Sequence, residues 1–196
     1  MLNETDIHWF PLRISHSSTP RLMRLKALLD NEDVVLQTFV PMEFRRVSDT
    51  SMAFVPAISN LIFVRIALQN LRVIKANKQL YEPLRYIMRT VIDADDRRQS
   101  EVLYVADAKM DDFIRVSSIA TDQVVFLNNL DFACRPSALV QITEGPFAGV
   151  KGRIKSFKKH LCVVIPIEDV AAVAITNVPK KHLIYLPEEA AAPRAS

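Results

Sequence analysis

The chain of 196 residues holds only three glycines, Gly145, Gly149 and Gly152, and all three fall within eight residues. Glycine enters positive φ, or a crowded backbone approach, without the steric cost other residues meet. A chain with none elsewhere has gathered its permissive positions into one segment, and something in that segment requires them. Apolar residues alternate up to Ile142. Gly145-Pro146 then predicts a tight turn, Gly149 a second turn, and Gly152 a close approach of the returning strand. Val150, Gly152 and Ile154 should point one way, and Lys151, Arg153 and Lys155 the other.

Around this segment the periodicity is that of strands alone. Residues 139–142, 150–154, 161–165, 171–175 and 183–186 read as five short strands with no helix between them, which predicts a small SH3-like β-barrel. The first part of the chain reads differently. Residues 9–14 form a strand, with Pro11 suiting an edge or strand-start position. Thr19 is the expected N-cap of a helix with Pro20 at its first position, and Leu22, Leu25 and Leu29 share one face. The helix should end near Asp30 and Asn31. A strand over 34–40 ends at Pro41. A hairpin arm follows, out through 43–46, around a polar turn at 48–51, and back through Phe54 and Val55.

Residues 61–66 predict a buried strand, and Leu68, Leu71 and Ile74 a helix reaching about Lys78. Strands at 86–92 and 102–105 are separated by a charged loop, and Asp107 is placed to cap a last helix carrying Met110, Phe113 and Ile114. The order implies an α+β sandwich with a ferredoxin-like arrangement. Most of 118–136 reads as a linker, apart from an apolar run at 124–127. The Ala-rich tail 188–196 reads as disordered.

Several function classes are disfavoured. Twenty-five basic against 22 acidic residues leave a net charge of +3, so contact with nucleic acid must come from local patches. Cys134 and Cys162 lie too far apart in sequence for a zinc pair and offer no disulfide framework, which suits a reducing compartment. The N-terminus lacks a signal-peptide core and no apolar run reaches membrane length, so a cytoplasmic protein with no membrane contact is expected. His8, His16, His160 and His182 show no ligand spacing. Asp93, Asp95 and Asp96 run straight into Arg97 and Arg98, which suits a solvated loop better than a metal site. No glycine-rich phosphate loop is present. A binding protein without cofactor or metal, rather than an enzyme, is the expectation.

Basic patches are local. Arg21 and Arg24 lie one turn apart on the first helix, with His16 and Ser17 just before it, and Arg45 and Arg46 sit at the base of the hairpin. Such a set suits phosphate pairing or the reading of a flipped base. Residues 136–187 hold seven basic residues (Lys151, Arg153, Lys155, Lys158, Lys159, Lys180, Lys181) against Glu144, Glu168 and Asp169, a balance of +4.

The Gly145-Pro146-Phe147-x-Gly149-x-x-Gly152 order closely resembles the KOW motif. With the α+β region before it, the chain resembles the NusG family of transcription elongation factors over roughly residues 7–187. His8-Trp9-Phe10-Pro11-Leu12-Arg13 stands at that family's first strand, Phe39-Val40-Pro41 at its "vP" strand end, and Leu61-Ile62-Phe63-Val64-Arg65 at its "YVFVR" strand. Leu103-Tyr104-Val105-Ala106-Asp107, with Met110 and Phe113, resembles its "pipD" helix start. The family's Phe-Pro-Gly-Tyr reads Ile58-Ser59-Asn60-Leu61 here, a departure that suggests a specialised paralogue of the UpxY, LoaP or RfaH kind.

The resemblance implies an NGN-like RNA polymerase-binding domain at 7–118, a linker at 119–136, a KOW barrel at 137–187 and a tail at 188–196. It implies a monomer that binds the RNA polymerase clamp helices and suppresses pausing and termination, at particular operons such as surface polysaccharide loci. Trp9, Phe10, Phe39, Pro41, Phe54, Ile58 and Leu61 would carry that contact. His16, Ser17, Arg21, Arg24, Arg45 and Arg46 would meet exposed DNA or nascent RNA, and the barrel a ribosomal protein or Rho. The alternative is a ribosomal or RNA-binding KOW protein, against which the modest net charge speaks.

Overall fold

The computed structural model describes residues 3–16, 18–46, 48–92, 96–119, 121–127, 137–157, 160–168 and 170–187. The fold is mixed α+β, and the chain divides into two compact units, one running through Asp107 and one starting at Ala108. The predicted linker 119–136, the tail, Ser17, Cys134, Lys158, Lys159, Asp93, Asp95 and Asp169 fall wholly or partly outside the described residues.

In the first unit, β1 (Ile7–Ile14), β2 (Gln37–Phe39), β5 (Leu61–Ala67) and β6 (Leu84–Tyr86) form an antiparallel sheet in the order β2-β5-β1-β6. β1 is therefore an inner strand, not the edge its proline suggested. The ladder accommodates Pro11 by alternation. Even-numbered residues bond toward β5, as Ile14 N–H does to Asn60. Odd ones bond the other way, where Val105 N–H reaches the Trp9 carbonyl. The N–H that Pro11 lacks would face the side where pairing with β6 has stopped at Leu12.

Alternation also assigns the two faces of this sheet. Phe10, Leu12 and Ile14 share a face with Ile62, Val64 and Ile66, and they pack with Leu22, Leu25 and Leu29 of α1 (Thr19–Asp30) and Leu68, Leu71 and Ile74 of α2 (Leu68–Ala76). Trp9, Leu61 and Phe63 lie on the opposite face and are also buried. Helix α1 is capped one residue earlier than predicted. Ser18 is extended and its hydroxyl accepts the Arg21 N–H at 3.4 Å, which puts Thr19 inside the helix. Ser18→Ala is therefore expected to cost about 1 kcal/mol in urea unfolding, and Thr19→Ala only a few tenths; equal losses would contradict the assignment.

The α2 helix stops at Asn77, before the predicted Lys78, and a single turn, α3 (Lys78–Tyr81), follows. Tyr81 is buried and donates to Glu32 at 2.6 Å, tying this turn to the loop after α1. β2 is shorter than predicted, because Val34 and Leu36 remain exposed. Two ribbons complete the unit, β3 (Met42–Arg46) with β4 (Met52–Pro56), and β7 (Met88–Ile92) with β8 (Arg98–Val102). The first is the predicted hairpin. In the second, the end of the stretch expected to be a charged loop, from Arg98, is strand, and that strand stops at Val102 instead of running over 102–105. It pairs along β7 and is held by the Arg89–Glu101 ion pair at 2.5 Å.

Helix α4 (Asp107–Ser117) spans the division between the units. Asp107 is its first residue, and its carboxylate pairs with Arg65 at 2.5 Å. Met110, Phe113 and Val116 are buried, whereas Ile114 is half-buried. The second unit holds one antiparallel sheet in the order β14-β10-β11-β12-β13-β9. Its strands are β9 (Val124–Phe126), β10 (Leu139–Ile142), β11 (Lys151–Phe157), β12 (His160–Ile167), β13 (Ala171–Thr176) and β14 (Leu183–Tyr185). Four of them lie within a residue or two of expectation, and β11 runs three residues past its expected end at Ile154. The sixth, β9, lies in the stretch read as linker and pairs with β13.

Candidate functional site

The glycine segment of the second unit is built as its composition required. Gly145 (φ +82°) and Gly149 (φ +91°) occupy the left-handed region, which side chains rarely adopt. Ala148 N–H bonds to the Gly145 carbonyl, Val150 N–H to Phe147, and Gly149 N–H to Ile142 at 2.7 Å, closing two successive turns between β10 and β11. Phe147, between the glycines, is buried. Gly152 meets a different constraint. A Cβ there would lie 2.7 Å from Val163 Cγ1 and 2.8 Å from the Val164 carbonyl oxygen, so the neighbouring β12 backbone leaves no room for one.

The expected outward row of this strand is corrected in part. Lys151 is exposed and Arg153 half-buried, but Lys155 is buried. The register gives the reason. Arg153 and Lys155 stand beside Val164 and Cys162, which pack with Leu127, Ala172 and Ala174 in an apolar cluster. Both faces of β12 are buried, so the row is a solvent face only at its start. Lys180 and Lys181 are exposed.

Within the same unit, α4 lies against the glycine turns. Arg115 donates to the Pro146 carbonyl at 3.3 Å, and Asp112 accepts the Lys151 N–H at 3.2 Å. Burial pushes the Asp112 carboxyl above its ordinary range, opposed by that hydrogen bond. Lys109 pairs with Glu168 at 2.7 Å. These helix residues carry no sequence signal that would have marked them.

The seven apolar candidates of the first unit do not form one surface. Phe10 belongs to the core between sheet and helices and is fully buried. The family resemblance alone pointed to it; Trp9, Phe10 and Leu12 make a nearly continuous apolar run, in which facing cannot be read. Trp9 and Leu61 lie on the other face, at 1% and 0% exposure, and Pro41 is buried. Neither Trp9 nor Leu61 offers a partner any surface as it stands. Phe39 and Ile58 are half-buried, with the Phe39 ring 6.4 Å from that of Phe63. Phe54 is 55% exposed.

The basic candidates also separate. His16 is exposed with φ +50°, and Arg21 donates to its carbonyl at 3.4 Å, so those two are locally ordered at the start of α1. Arg24 is exposed. Ser17 lies outside the described residues. Arg45 and Arg46 sit at the tip of the hairpin, not its base, since Arg46 pairs across to Met52 and the base pair is Met42 with Pro56. Arg45 is engaged by Glu43 at 2.5 Å, while Arg46 is exposed and makes no ion pair among the described residues. The hairpin also presents exposed Phe44 and Met52 beside Phe54, a group no sequence pattern had marked.

Among the described residues no helix is long and apolar enough to cross a membrane. No protein-family model matches the sequence, and no curated protein matches it. Among solved structures, the chain is similar to one described as "Domain interaction in Thermotoga maritima NusG". It is 12% identical to that chain, with a TM-score of 0.40, over 92% of this chain and 98% of that one, a weak likeness of fold.

Proposed function

We propose that this chain is a NusG-like transcription elongation and antitermination factor that acts by binding and not by catalysis. In this reading residues 7–118 form an NGN-like domain that engages the RNA polymerase clamp helices, and residues 137–187 a KOW barrel of SH3 type. The observation that carries the reading is the glycine segment. The order Gly145-Pro146-Phe147-x-Gly149-x-x-Gly152 resembles KOW, and each glycine there meets a distinct backbone demand, two of conformation and one of space. A chance match would not need all three. The first unit is α+β and the second holds a six-stranded antiparallel sheet, with the division at Asp107/Ala108 falling at the start of α4, which this reading assigns to the NGN-like domain.

Closing the clamp is a population shift, and it follows only if the protein binds the closed state more tightly than the open one. Burial narrows the surface that can do so. Phe10 is core, and Trp9 and Leu61 support the sheet from within. Phe39, Ile58 and Phe54 remain as the accessible apolar contacts. The specialisation to particular operons, such as surface polysaccharide loci, rests on the departure at Ile58-Ser59-Asn60-Leu61. Arg21, Arg24 and His16 would meet the exposed DNA strand. The barrel would meet a ribosomal protein or Rho.

Ile58→Asp tests the contact. A half-buried aliphatic residue converted to a carboxylate is expected to weaken binding to core RNA polymerase at least tenfold, because the charge must be desolvated in the complex. The circular dichroism spectrum should stay unchanged. Undiminished binding would remove Ile58 from the interface.

A further inference from the structure

We propose that the cleft formed by α2, α3 and β6 binds a small phosphorylated ligand through its phosphate groups. The cleft has a volume of about 340 Å³ and is lined by Lys75, Lys78, Tyr81, Glu82 and Arg85. Lys75 comes from the last turn of α2, Lys78 from the single turn α3, and Arg85 from β6. Three lining side chains are cationic and one is acidic, which leaves an excess of two positive charges. The one carboxylate, Glu82, is committed to Arg85 at 3.0 Å. Glu32 accepts from the Tyr81 hydroxyl at 2.6 Å and is not part of the lining.

The fold holds these cations together without an anion to match them. Lys75 Nζ donates to the Leu84 carbonyl at 2.5 Å, and Arg85 Nη1 donates to the same oxygen at 3.0 Å. Two nitrogens on one oxygen stand at most about 5.5 Å apart, inside the screening length of about 8 Å at physiological salt, so their charges repel. Burial, and then the Arg85 charge, push the Lys75 amine below the ordinary lysine range. Lys78 is exposed and forms no ion pair among the described residues. An oxyanion between these groups would relieve the repulsion and accept charge-assisted hydrogen bonds from them. The excess of two charges matches a phosphate monoester, which carries about −1.5 to −2 near neutral pH, whereas one carboxylate supplies half of that. Tyr81 is the one aromatic residue of the lining, and at 2% exposure it offers a nucleobase no ring to stack on. Lys75 already lies over the neighbouring Tyr86 ring, 4.5 Å from its centroid. Phosphate is therefore the recognised group, and the cleft is of the size that takes small molecules.

The test treats the full chain with a limiting amount of an amine-acylating reagent at mildly alkaline pH and reads each lysine by peptide mass spectrometry. Inorganic pyrophosphate is the probe, and sodium chloride of equal ionic strength the control. A bound anion favours the protonated amine, which does not acylate, so pyrophosphate should slow modification of Lys75 at least about threefold and leave the exposed Lys180 unchanged. Arg85→Gln should raise the pyrophosphate concentration needed for half-protection about tenfold, the scale of one charge-assisted contact. Glu82→Gln removes the carboxylate that competes for Arg85 and should lower that concentration severalfold, a gain that a misfolded variant would not show. Equal slowing by chloride, equal slowing at Lys180, or a Glu82→Gln variant that binds no tighter would overturn the proposal. So would protection by a single-stranded oligonucleotide at a lower phosphate concentration than pyrophosphate requires, because the cleft would then serve a polymer and not a small ligand. Protection is read on the free protein, so its failure leaves polymerase binding untouched.

Discussion

Gly152→Val is expected to unfold the antiparallel sheet of the second unit. The site is closed by backbone as well as side chain. The Val163 methyl at 2.7 Å could swing aside, but the Val164 carbonyl at 2.8 Å belongs to the strand paired with β11. Overpacking a filled core costs about 1–3 kcal/mol and sometimes more. Gly152→Ala should sit in that range and the branched valine beyond it, against a typical domain stability of about 5–15 kcal/mol. Gly145→Ala gives a scale. Nothing lies within 4 Å of a Cβ at Gly145, so only its positive φ is penalised, at about 1–2 kcal/mol. Urea unfolding followed by circular dichroism should rank Gly152→Val as the most damaging of the three. A valine variant as stable as the parent would mean that β11 and β12 do not approach this closely.

Phe10→Ala is expected to cost about 3–5 kcal/mol, the range for truncating a buried phenylalanine. The side chain is fully buried between β5, α1 and α2, and its removal leaves a cavity bordered by side chains that helix packing holds in place. Loss of polymerase binding by this variant should accompany loss of the folded first unit. A variant that stays folded but no longer binds would return Phe10 to the interface.

These two residues mark what the sequence could and could not tell. Turn chemistry and strand alternation are local, so the glycine turns and five strands of the second sheet were legible to within three residues. The hairpin over 42–56 was legible for the same reason, although not which end carried Arg45 and Arg46. What escaped depended on packing. Phe10 lies in a run that is apolar on both sides, and only the register with β5 shows which face the helices cover. Arg98–Val102 is a strand with an exposed, polar sequence held by backbone pairing to β7, which hydropathy cannot register. Val124–Phe126 is too short to announce itself without β13. Lys155 is buried because β12 has no solvent face, a fact of the neighbour and not of the residue. The exposed Phe44, Met52 and Phe54 looked like ordinary hydrophobic strand residues until burial showed that nothing covers them.

The most direct measurement is binding of the purified full chain to core RNA polymerase, beside a polymerase that lacks the tip of the clamp helices. The account predicts micromolar or tighter affinity for the intact enzyme and its loss with the tip. Equal binding to both polymerases, or sedimentation with ribosomes and no polymerase binding, would contradict it and place the glycine-turn sheet in a different machine.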